Sequence, residues 1–74
     1  MMVENIKRMW SKMMDETQRD VLKAISDEFG IVEHYVRNQW IYKGIIPKNK
    51  QEKVVDICHR ALRKQWEETK TLIG

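Results

Sequence analysis

The sequence predicts an all-α fold, a small four-helix domain closed by a long C-terminal helix. Apolar residues recur at helical spacing along most of the 74-residue chain, only three Gly and one Pro interrupt it, and the plain breaks fall at Gly30 and at Gly44 to Pro47. A hydrophobic content of 42% closes one small core and no more, so residues 1–74 read as a single domain and a two-domain enzyme is excluded. With 34% charged residues and so few breakers, the composition is that of folded helical stock, not of a disordered tail.

In chain order, Ile6, Met9, Trp10 and Met13 form an i, i+3, i+4, i+7 stripe, which predicts a first helix over about 4–14. Thr17 can cap a second helix with Asp20 in its first turn. Val21, Leu22, Ile25 and Phe29 carry that stripe to the flexible exit at Gly30, giving a helix over about 18–29. Val32, Val36 and Trp40 then mark the inner side of a third helix over about 32–43, leaving Glu33, His34, Arg37, Asn38 and Ile41 on its other faces. Its β-branched residues are mediocre helix formers, so docking of Val36 and Trp40 must hold it. After Gly44, Ile45 and Ile46 are expected to drop into the core, Pro47 fixes the chain direction, and Asn49 with Glu52 fits a capping pair. Val54, Val55, Cys58, Ala61, Leu62, Trp66 and Ile73 then keep a helical stripe, and a helix of roughly 24 residues would span about 36 Å. That is longer than the globule needs. Trp66, Leu72 and Ile73 on its last turns therefore suit a homodimer contact, a frayed end being the plainer alternative.

The net charge is +3, from 14 Lys and Arg against 11 Asp and Glu, but it is unevenly placed. Residues 1–29 hold five basic and six acidic side chains, whereas residues 34–64 hold eight basic against Glu52 and Asp56 alone. A basic half backed by a neutral or acidic half fits a one-sided polyanion binder, and a solvated helix face explains the same charges equally well.

Two helices joined through a short Gly turn, the second with a narrow apolar inner stripe, form a helix-turn-helix arrangement whose outer face can enter a DNA major groove. His34, Arg37 and Asn38 project from that face and are the candidate base readers. Arg can pair with guanine O6 and N7, and Asn with adenine N6 and N7. Tyr35 and Tyr42 flank the face and could give their hydroxyls to phosphates, Tyr35 being the candidate backbone contact, with a partly buried ring edge as the equal alternative. Lys43, Lys48 and Lys50 at the corner after the third helix are the candidate backbone contacts. Arg60, Arg63 and Lys64 fit either a solvated face or DNA.

The segment from Thr17 to Leu62 resembles the helix-turn-helix regulators of the phage repressor and Cro type. Thr17-Gln18, Phe29-Gly30-Ile31, Val36 with Trp40, and the exit Lys43-Gly44-Ile45-Ile46-Pro47-Lys48 carry the likeness. The resemblance implies sequence-specific binding of double-stranded DNA, transcriptional control, Gln18 near a backbone phosphate, and Arg37 and Asn38 facing bases. Helix two is longer than is usual in that family, and Trp40 follows Val36 by four residues where three is commoner.

Other chemistry is poorly served. Cys58 lies among Val54, Ala61 and Leu62 and reads as a small buried thiol, with no second cysteine for a disulfide or a zinc cluster. His59 should be exposed. Ser11 and Ser26 lack a positioned His and acid, and the glycines form no phosphate loop, so neither an enzyme nor a cofactor or small-molecule substrate is expected. No leader or span of about 20 apolar residues is visible, which predicts a cytoplasmic, membrane-free protein. The expected function is a homodimeric transcriptional regulator of a phage or mobile element acting on an operator. The alternatives are a helical protein-binding module (antirepressor or inhibitor) using the Trp66 face or the basic face, and a DNA-packaging or recombination accessory factor.

Overall fold

The computed structural model describes residues 2–73, with side chains from Met2 to Glu68. Helix α1 covers Met2–Ser11 and α2 covers Asp15–Phe29. Helix α3, Glu33–Tyr35, runs without a break into a π-helical segment, Val36–Tyr42, and α4 covers Lys48–Ile73. No strand occurs among the described residues, and the all-α class is as the sequence predicts.

The apolar stripes decide what is buried. Ile6 and Trp10 of α1, Val21, Leu22 and Ile25 of α2, and Val54, Cys58 and Leu62 of α4 meet in one core, with Met13 swinging in from the turn after α1. Each such side chain is worth about 1.5–3 kcal/mol of burial, enough to organise helices this short. At 26 residues α4 measures about 39 Å, and the molecule's longest dimension is 40 Å. It forms the backbone of the fold, with α1 and α2 packed along it.

The junction between α1 and α2 departs from expectation. Helix α1 ends at Ser11, whose hydroxyl donates to the Arg8 carbonyl (2.7 Å), and α2 starts at Asp15, which places Thr17 inside the first turn and not at the cap. The cap position falls to Met14, which has no capping oxygen. Two glutamines supply the missing partners. The buried Gln65 accepts the Met14 N–H at its Oε1 (2.8 Å) and donates from Nε2 to the Lys12 carbonyl (3.2 Å), while Gln18 donates to the Trp10 carbonyl (3.0 Å). Asp15 and Glu16 in the first turn add carboxylates where the helix dipole favours them. Replacing Gln65 with leucine is expected to lower stability by about 1–3 kcal/mol, because two backbone groups lose their partner at once. A shift of the urea midpoint measures it, and an unchanged midpoint would show that water serves the turn as well.

Gly30 ends α2 as anticipated. At φ 65° it lets its own N–H and that of Ile31 both donate to the Ser26 carbonyl, at 2.8 and 3.2 Å.

The third helix was expected over 32–43 as an ordinary α-helix with Ile41 facing away from the core. Instead it widens after Tyr35, as in the Lys43 N–H bond to the Asn38 carbonyl five residues back (3.2 Å). In an α-helix a residue five positions on is turned about 140° from its starting point. The wider turn lets Trp40 and Ile41 both pack inward with Val36, and Ile41 is only 2% exposed. The same extra residue turns Ile45 out: it is 61% exposed, and Ile46 alone of the pair enters the core. The expected Asn49 and Glu52 capping pair is also replaced. Helix α4 already begins at Lys48, the Lys50 N–H donates to the Pro47 carbonyl (2.9 Å), and Gln51 donates its amide to the Ile46 carbonyl (2.9 Å).

Gly44 has two reasons to be glycine. Its φ is 73°, and a Cβ there would lie 2.9 Å from Val3 Cγ1 and 3.2 Å from Lys7 Cε, where the chain crosses α1. Gly30 has the same backbone sign but open space around it. Gly44→Ala should therefore destabilise more than Gly30→Ala, whose cost is only the left-handed backbone at about 1–2 kcal/mol. Paired thermal melts test this, and equal losses would show that α1 yields freely.

Candidate nucleic-acid interface

The candidate readers stand on α3 and the π segment, which is held from behind by Val36, Trp40 and Ile41. Phe29, the last residue of α2, meets the Trp40 ring edge-on at 5.6 Å and so ties the reader to the preceding helix. On the other side His34 and Arg37 are exposed and Asn38 is half-buried. The Asn38 amide nitrogen lies 3.0 Å from His34 Nε2, an i, i+4 contact between the two side chains. One amide hydrogen is used there. The second amide hydrogen and the oxygen of Asn38 take no part in that contact.

His34 and Arg37 also line a recess of about 520 Å³ against the first half of α2, where Asp15, Gln18 and Arg19 face them together with Glu33. The three candidate readers are therefore brought together: His34 touches Asn38 and shares the recess with Arg37. Tyr35 and Tyr42 are exposed by 51% and 60% beside them.

The candidate backbone contacts are more scattered. The half-buried Gln18 donates one amide hydrogen to the Trp10 carbonyl and so ties α2 to the end of α1. Lys43 is exposed directly after the π segment. Lys48 is exposed on the side of Met2 and Val3. Lys50 lies elsewhere, its Nζ 5.5 Å from the centroid of the Phe29 ring, next to the Lys53 to Glu28 ion pair (3.5 Å) that links α4 to the end of α2. The lysine-rich corner is thus divided between two surroundings. Trp66 is 58% exposed, as a contact surface requires, whereas the side chains of Leu72 and Ile73 lie outside the described residues.

Cys58 is fully buried, and loss of solvation pushes its thiol up to about 12 from 9.0, so it is no nucleophile near neutral pH. His59 is exposed. Among the described residues no buried side-chain nitrogen or oxygen lacks a partner, and no helix is long and apolar enough to cross a membrane.

Sequence reasoning missed one cluster altogether. Arg8 of α1 and Lys12 of the turn that follows it face Arg60 and Arg63 of α4 across a groove, and the available signal was the i, i+4 spacing of the first pair. Nothing in the sequence said which stretch of α4 they would meet. Set against family models, curated proteins and solved structures, the chain matches none.

Proposed function

We propose that the chain binds double-stranded DNA in a sequence-specific manner through the outer face of α3 and the π segment, and that it regulates transcription as a homodimer on an operator of a phage or mobile element. One observation carries this reading. A short reader segment is anchored by three buried side chains and carries an exposed guanidinium and imidazole and a half-buried amide, spaced over about one turn. A major groove accepts one helix and presents donors and acceptors that Arg and Asn can pair with. His34 fixes the Asn38 amide in one orientation before any base is met, which lowers the cost of ordering it. Lys43 follows directly and would meet the backbone.

The test is selection from random duplexes, repeated with Arg37→Ala. The wild-type chain should enrich a palindromic site. The variant should lose discrimination at one position of each half-site by about ten- to a hundredfold, the size of one bidentate base contact. Intact discrimination in the variant would overturn the assignment of this face.

A further inference from the structure

A second surface lies apart from the reader. Between α1 and α4 runs a groove of about 930 Å³ whose floor includes Met9 and Leu62 and whose wall includes the exposed Trp66. Its rim carries Arg8, Lys12, Arg60 and Arg63 against two carboxylates, Asp56 and Glu67, and Asp56 is already paired with Arg60 at 3.2 Å. We infer that this groove docks an acidic amphipathic helix of another protein, with apolar side chains against Met9, Leu62 and Trp66 and carboxylates toward Arg8, Lys12 and Arg63.

Charge and surface decide between occupants. A second copy packed here about a two-fold axis would bring two rims rich in cations together, a like-charge opposition that works against pairing. A nucleic-acid strand would satisfy the cations and could stack on Trp66, but would leave the methionine and leucine floor without an apolar partner. An acidic helix with an apolar stripe satisfies both the rim and the floor. Methionine, which adapts its shape, suits such a floor, and an exposed tryptophan beside it is the usual anchor of a helix-in-groove contact. The inference does not depend on the proposed DNA face, because none of the groove residues belongs to α3 or the π segment.

The test uses the full chain and a fluorescein-labelled synthetic peptide with leucines at i, i+3, i+4 and i+7 and glutamates on the flanks, read by fluorescence anisotropy. A scrambled peptide of the same composition should bind at least about tenfold more weakly, which is 1.4 kcal/mol. Trp66→Ala should weaken binding by about 30-fold, the size of an interface anchor, and the Arg8→Glu, Arg63→Glu double variant by at least as much. Both variants are on the surface, and unchanged circular dichroism confirms that they fold. Arg37→Ala should leave peptide binding untouched, so failure of the DNA reading and failure of this one are separable. Equal binding of the scrambled peptide, indifference to the double charge reversal, displacement of the peptide by single-stranded DNA that is itself sensitive to Trp66→Ala, or a sedimenting dimer that Trp66→Ala dissociates would each overturn the inference.

Discussion

Replacing Trp40 with alanine is expected to remove about 3–5 kcal/mol of stability, the cost of emptying a large aromatic site in a close-packed core. Trp40 is the largest fully buried side chain, it packs edge-on against Phe29, and together with Val36 and Ile41 it holds the π segment on the domain. Small domains have only about 5–15 kcal/mol in total, mostly toward the lower end. Since each lost kcal/mol lowers the melting temperature of a domain this size by about 4–8 °C, the variant should melt at least about 12 °C below the wild type. Trp66→Ala is the internal comparison. That ring is largely exposed, and its loss should stay within about 0.5 kcal/mol. Far-UV circular dichroism on heating decides the matter, and a Trp40→Ala melt within a few degrees of wild type would mean that the reader is anchored by something else.

The second large effect concerns salt. If a dimer neutralises about five phosphates, its affinity for duplex DNA should fall roughly 500-fold between 50 and 200 mM salt. Lys43→Ala should reduce the slope of log affinity against log salt by about one per contact removed, and should weaken all sequences alike. Arg37→Ala should instead change which sequences are preferred. Lys50→Ala should do less than Lys43→Ala, because the Lys50 ammonium lies over the Phe29 ring and part of its role is to pack there. Titrations at four salt concentrations separate these behaviours. A flat salt response would remove the electrostatic basis of the DNA reading.

Much of the fold was legible because burial leaves a periodic trace. The stripes at Ile6 and Trp10, at Val21, Leu22 and Ile25, and at Val54, Cys58 and Leu62 run in regular helices, and those residues are buried as their spacing implies. Errors arose where local periodicity ceased to be regular. One widened turn put Ile41 inside and Ile45 outside, and no propensity scale distinguishes these two isoleucines. The cap of α2 was assigned to Thr17 because hydroxyls are good caps, yet the work is done by Gln65, 51 residues after Met14. A contact of that range has no local signature. The same holds for the candidate sites: His34, Arg37 and Asn38 could be placed on one side of a short helix from the sequence, whereas the joining of Arg8 and Lys12 to Arg63 depends on how α1 lies along α4.

The widened turn has a consequence for how this protein can change over time. A π segment equals an α-helix with one surplus residue, so deleting a single position between Val36 and Trp40 could restore ordinary winding while Trp40 still reaches the interior from three places on. Such a deletion would keep Trp40 and the residues after it in their present orientation and change only which side chains face outward between Val36 and Trp40. A one-codon loss in this stretch is then a route to a different set of outward side chains on the same scaffold.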